Sequence, residues 1–159
     1  MQKILITGSN GLLGQKIVKM LIGNKSIKVI ATSNGANRLS FTENYEYHSL
    51  DITDNKGVET LINDLKPDTV INTAAMTNVD ACETDHELCW KVNVEAVKNL
   101  VNACKQINSH FIHLSTDFIF DGLKGPYKEE DAPNPLSYYG KSKLEAEKIV
   151  EDSGIHWAI

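Results

Sequence analysis

Lys3-Ile4-Leu5-Ile6-Thr7-Gly8-Ser9-Asn10-Gly11-Leu12-Leu13-Gly14 is the stretch that decides the fold of this 159-residue chain. An apolar run of strand length passes directly into three glycines spaced GxxGxxG. Leu12, Leu13, Ile17, Met20 and Leu21 then recur at helical spacing and are expected to form one apolar face. The order is strand, tight loop, helix. Glycines allow a tight turn and a close backbone approach to a pyrophosphate. The helix N-terminus adds unpaired N–H groups and a partial positive charge for the anion. A glycine turn needed only for helix–strand packing would look similar, but the strand–loop–helix context favours the phosphate loop.

The same alternation continues outward. Short apolar runs at Ile27–Ala31, Glu46–Ser49, Thr69–Asn72 and His110–Ser115 read as strands. Between them, Val58, Leu61, Ile62 and Leu65 mark a second helix. A third is expected from about Asp85 to Ile107, carrying Val92, Val94, Val97, Leu100, Val101 and Cys104, and a fourth starts near Tyr139. Strand–helix alternation predicts an α/β fold, a doubly wound, Rossmann-type parallel sheet with helices on both faces. Gly154 to Ile159 looks like the opening of a further strand, so residues 1–159 are read as a dinucleotide-binding domain forming the N-terminal part of a longer protein. Asp117–Ser137, with three prolines, is the longest irregular stretch, and a loop of that length is usually functional.

Composition narrows the function classes. Sixteen Lys+Arg against 21 Asp+Glu give a net charge of −5, which argues against a nucleic-acid partner because phosphate neutralisation needs a basic surface. No apolar run approaches the roughly 18 residues that span a bilayer, and no secretion signal precedes the first strand, so no membrane partner and a cytoplasmic location are expected. Three cysteines without a CxxC suit a reducing compartment and argue against a zinc site; no metal is expected. A second copy of the chain, as a homodimer, stays open as a partner.

The second strand ends in Ala31-Thr32-Ser33-Asn34, without the acid that would hold a ribose diol. Ser33 and a nearby Arg38 tolerate a 2′-phosphate better than a carboxylate would, which favours NADPH with NADH also accepted; a lone arginine is equally a solvated loop residue. Asp51-Ile52 after the third strand either meets an adenine edge or has Asp51 capping the helix that starts near Asp54. Asn72-Thr73-Ala74-Ala75 after the fourth strand keeps side chains small, for a passing cofactor or for tight packing.

Tyr139 and Lys143 stand four residues apart on one helical face. A phenol has a reference pKa near 10 and needs a neighbouring ammonium to transfer protons at neutral pH. A Tyr–Lys pair on a solvated helix face is the ordinary alternative. The strand end His113-Leu114-Ser115-Thr116-Asp117 strengthens the signal, because the Thr116 hydroxyl would hold a substrate carbonyl at the carboxyl edge of the sheet. Ser115 either joins it or packs inward. His110 and His113 read as core-edge residues.

Thr7 to Gly14, Asn72 to Asp80, Ser115 to Gly122 and Tyr139-Gly140-Lys141-Ser142-Lys143, four motifs in order, together resemble an extended short-chain dehydrogenase/reductase. The nearest subgroup is that of the dTDP-4-dehydrorhamnose reductases. The regulatory beta subunit of methionine adenosyltransferase is similar too, including Phe120-Asp121-Gly122 and Pro126 to Asp131. The resemblance covers the whole chain and about half of a typical member. It implies a catalytic trio of Thr116, Tyr139 and Lys143, with Asn93 supporting the lysine through water and counted with the cofactor residues. It places Gly8, Asn10, Gly11, Leu12 and Leu13 along the pyrophosphate and Asp51 and Ile52 at adenine. Ala74, Ala75 and Thr77 lie along the ribose and phosphates, Tyr139 and Lys143 also meet the cofactor, and Thr116, Asp117 and Phe118 meet the sugar. The family's usual tyrosine after Ser-Thr-Asp is Phe118 here. The implied reaction is reduction of a nucleotide-linked 4-keto sugar by NADPH or NADH. The alternatives are a non-catalytic NADP-binding regulatory subunit, and an epimerase or dehydratase.

Overall fold

Alternation of side chains along the strands decides the layering. In the computed structural model, which describes residues 1–41 and 43–159, Leu5, Ile30, Val70 and Phe111 are buried on one face of the sheet, and Ile4, Ile6, Val29 and Ala31 on the other. Successive strand residues point to opposite faces, so strands buried on both sides are apolar at every position. The strands are β1 (Gln2–Thr7), β2 (Ile27–Ser33), β3 (Tyr45–Ser49), β4 (Thr69–Asn72), β5 (His110–His113) and β6 (Trp157–Ala158). They pair in the order β3-β2-β1-β4-β5-β6, every neighbour parallel. The order reverses between β1 and β4, which opens a crevice at the carboxyl ends of those strands.

Helix α1 (Leu12–Leu21) covers one face. On the other face lie α2 (Asn55–Leu65), α5 (Ala96–Ile107) and α6 (Tyr138–Glu151), through Val58, Ile62, Val97, Leu100, Ala146 and Val150. The predicted doubly wound α/β architecture is therefore the observed one, and the strand expected after Gly154 is β6. No helix among the described residues is long and apolar enough to cross a membrane.

Three local expectations change. The buried side of α1 is Gly14 and Val18, with Ile17 and Leu21 packed beside them, while Leu12, Leu13 and Met20 are exposed. The α1 stripe therefore lies one step round from the one expected, because Gly14 must pack against the glycine turn. A Cβ on Gly14 would sit 2.7 Å from Ser9 Cα. The third helix is interrupted. It runs as α4 (His86–Trp90), a π-helical turn at Lys91–Glu95 and then α5, preceded by a short α3 (Val79–Thr84) that periodicity did not indicate. Strand β5 ends at His113 rather than Ser115, because the next carbonyl, of Leu114, turns to accept a hydrogen bond from Lys143 Nζ.

Candidate functional site

The glycine turn is built from backbone constraints. Gly8 has φ +68°, and a Cβ there would sit 2.7 Å from the Ala74 nitrogen, so only glycine lets β1 and the segment after β4 approach this closely. A cavity of about 310 Å³ opens beside it. Gly8 and Gly11 form one end, Ser33 and Asn34 one wall, Asp51, Ile52 and Thr53 the far end, and Thr73, Ala74, Ala75 and Val92 the opposite wall. The shape runs from a helix N-terminus to a small apolar recess at Leu50 and Ile52, which fits a dinucleotide lying across the sheet's switch point.

Of the residues predicted for the cofactor, Gly8, Gly11, Ser33, Asp51, Ile52, Ala74 and Ala75 line this cavity. Asn34, Leu50, Thr53 and Val92 line it too and were not anticipated, because no spacing pattern marks them; Thr73 also lines it and lies in the small-residue stretch read as passing a cofactor. Asn10, Leu12, Leu13, Arg38, Thr77, Asn93, Tyr139 and Lys143 are not part of the lining. Asn10 spends its side chain elsewhere. Its Nδ2 donates to the Ala36 carbonyl (2.9 Å) and its Oδ1 accepts from the Arg38 N–H (2.9 Å), so it clamps the loop after β2 instead of facing a pyrophosphate. Asp51 does not cap α2; Asp54 stands at that position. The Asp51 carboxylate accepts from the Thr53 N–H (2.9 Å) and Oγ1 (2.8 Å) and from Asn34 Nδ2 (3.3 Å), which closes the far end of the cavity. Thr77 is exposed just before the Asn78 cap of α3.

The placing of Tyr139 and Lys143 depends on how α6 begins. The Ser137 hydroxyl caps it by accepting from the Gly140 N–H (3.0 Å). Gly140 packs against the carbonyl of Phe118, and a Cβ there would also meet Pro135 Cβ at 3.0 Å. This close approach seats the first turn of α6 on the short 3-10 turn Asp117–Ile119 and brings Thr116 beside Tyr139. Replacing Gly140 with alanine is expected to cost about 1–3 kcal/mol, read as a lower midpoint in urea unfolding.

Tyr139 is only 8% exposed, packed with Cys82 and Cys89 and edge-on to Phe118 (centroids 5.8 Å apart). It does not lie on a solvated face. Burial raises its pKa above the usual phenol value, and the Thr116 hydroxyl pulls the other way. Lys143 is 2% exposed, hydrogen-bonds the Leu114 carbonyl and lies 3.2 Å from His113 Nε2. Burial brings its pKa down to about 8, opposed by the Glu147 carboxylate. Asp117 and Phe118 are exposed at the mouth, and Ser115 buries its hydroxyl oxygen, the inward alternative.

Asn93 makes direct hydrogen bonds to the segment after β4 and to α6. Its Oδ1 accepts from the Met76 N–H (2.8 Å), and its Nδ2 donates to the Met76 carbonyl (3.0 Å) and to Ser142 Oγ (3.0 Å). The π-helical turn turns this side chain inward, where it ties the segment after β4 to α6; its hydrogen bonds do not reach Lys143. His113, expected to be a core-edge residue, is the side chain at the lysine. Histidine carries no spacing signal for a partner on a distant helix.

Fold and site define a nucleotide-binding α/β domain with a buried Tyr–Lys pair at its carboxyl edge. All of it, residues 1–159, matches the family described as RmlD substrate binding domain, and the chain belongs to that family. It is 41% identical over 151 residues to dTDP-4-dehydrorhamnose reductase of Aggregatibacter actinomycetemcomitans, covering 94% of this chain and 47% of that protein. It is 33% identical over 158 residues to methionine adenosyltransferase 2 subunit beta of Bos taurus, covering 99% and 45%. The crystal structure of dTDP-4-dehydrorhamnose reductase from Bacillus anthracis in complex with NADP superposes with a TM-score of 0.79 at 26% identity, over 99% of this chain and 52% of that one. The chain thus spans about half the length of the relatives it matches.

Proposed function

We propose that this protein is an NADPH-dependent reductase, also accepting NADH, of a nucleotide-linked 4-keto sugar, and that the present chain carries its cofactor site and its proton-transfer residues. The observation that carries the reading is the burial of Tyr139 and Lys143 on one helix face, with Lys143 linked through His113 and Asn72 to Ala74 in the wall of a dinucleotide-shaped cavity. The likeness to a reductase at 41% identity and to one in complex with NADP supports it. Three buried free thiols fit a cytoplasmic setting.

The nicotinamide, when bound, supplies the hydride that reduces the keto carbon. Tyr139 donates its phenolic proton to the carbonyl oxygen as negative charge develops there. The Thr116 hydroxyl orients that oxygen, and Lys143 governs how readily the phenol gives up its proton. Asp117 and Phe118, exposed beside Tyr139, meet the sugar. Gly8, Gly11 and the N-terminus of α1 hold the pyrophosphate, and Ser33 with Arg38 accommodates a 2′-phosphate.

The test is oxidation of NADPH, followed by its absorbance, when the full-length protein meets dTDP-4-dehydrorhamnose or a related keto sugar. No consumption with any of them sinks the proposal. Replacing Arg38 with alanine removes a charge-assisted contact of about 1.5–3 kcal/mol, so the KM for NADPH is expected to rise about tenfold or more while that for NADH changes little. Equal changes for both cofactors would release Arg38 from this role.

A further inference from the structure

A buried hydrogen-bond chain runs through the sheet to Lys143. Thr7, Asn72, His113 and Lys143 are each at most 2% exposed. Asn72 Oδ1 accepts from the Thr7 hydroxyl and from the Ala74 backbone N–H (3.2 Å). A backbone N–H can only donate, so the Asn72 amide orientation is set, and its Nδ2 is the group that faces His113 Nδ1 at 3.2 Å. Nδ2 can only donate as well. His113 Nδ1 must therefore be the acceptor, and in a neutral imidazole the proton then sits on Nε2. That Nε2–H points at Lys143 Nζ, 3.2 Å away.

An ammonium has three donors and no acceptor, whereas an amine has a lone pair. We propose that His113 is a positioning residue that selects the neutral amine of Lys143 in the ligand-free protein, its tautomer held by Asn72. The surroundings agree. Burial above all holds the His113 imidazole far below its ordinary value, so it stays neutral over the whole working range. Burial brings Lys143 to about 8 before the ring's donor is considered.

The other groups around the pair are few. Glu147, on α6 itself, is the carboxylate that favours the ammonium. Asp117, Cys82 and Cys89, from the 3-10 turn, α3 and α4, face Tyr139. The meaning for catalysis rests on the reductase reading. The protonation claim is tested without cofactor or substrate, so it can fail while that reading stands, and the reverse.

Nitrogen-15 NMR of the histidine rings in the purified ligand-free protein is expected to show His113 as the Nε2–H tautomer, unchanged between about pH 5 and 9. A Nδ1–H tautomer or a doubly protonated ring at pH 7 overturns the proposal. Carbon-13 NMR of lysine Cε then follows Lys143 itself. Its titration is expected below pH 8 in the parent and about one unit or more higher in His113→Phe, which removes the ring donor but keeps a ring in place. An unshifted midpoint in a folded variant also overturns it. Asn72→Asp gives a further check. Its carboxylate accepts from Thr7 and Ala74 as before and would draw the ring proton to Nδ1, leaving a lone pair for the lysine. The Nδ1–H tautomer is expected in that variant, and retention of Nε2–H counts against the account. If neither variant folds, the parent's ring spectrum decides alone.

Discussion

Replacing Tyr139 with phenylalanine in the full-length protein is expected to lower turnover of a nucleotide-linked keto sugar by about 10²–10⁴, the usual contribution of a positioned acid. The aromatic ring survives the change. It still meets Phe118 edge-on and still packs on Cys82 and Cys89, so the fold should hold. The hydroxyl alone is lost, and with it the proton that the alkoxide needs. Cofactor binding should move much less than kcat, since the cavity is lined by the glycine turn, the ends of β2 and β3 and the segment after β4. Steady-state kinetics with a fluorescence titration of NADPH would separate the two. A variant that keeps full kcat would remove Tyr139 from the chemistry.

Acid should destabilise the protein through His113. In an unfolded chain an imidazole titrates near 6.5, whereas in the fold burial and the neighbouring lysine hold it down at about 3. Between those values the unfolded chain binds a proton that the folded chain refuses. The stability tied to this ring is therefore intact above about pH 6.5 and falls as the pH drops, by roughly 3 kcal/mol at pH 4. Urea unfolding at pH 7 and pH 4 measures the loss. Carboxylates add losses of their own, so the comparison is with His113→Phe, which is expected to lose roughly 3 kcal/mol less over the same interval. Equal losses in both proteins would show that His113 charges freely in the fold.

Some of the site could be read without coordinates because the relevant geometry is local. Four residues separate Tyr139 from Lys143, and a helix alone puts them on one face. GxxGxxG between an apolar run and a helical stripe marks the cradle at Gly8 and Gly11 for the same reason. Other features depend on which elements lie side by side. Asn10 sits in the right loop, yet its amide is claimed by Ala36 and Arg38 across the end of β2. Asn93 sits in the right helix, yet the π-helical turn aims it at Met76 and Ser142. His113 looked like packing, and its partner stands 30 positions away on α6.

From the sequence alone come the strand–helix alternation, the doubly wound parallel sheet, the glycine turn between β1 and α1 and the Tyr–Lys face. Each follows from periodicity or backbone freedom within a dozen residues. Only the tertiary structure decided the cavity's walls, the burial of Tyr139 and the polar line from Thr7 through Asn72 and His113 to Lys143. A buried donor or acceptor must find a partner wherever the packed elements present one, and that choice is made in space rather than along the chain.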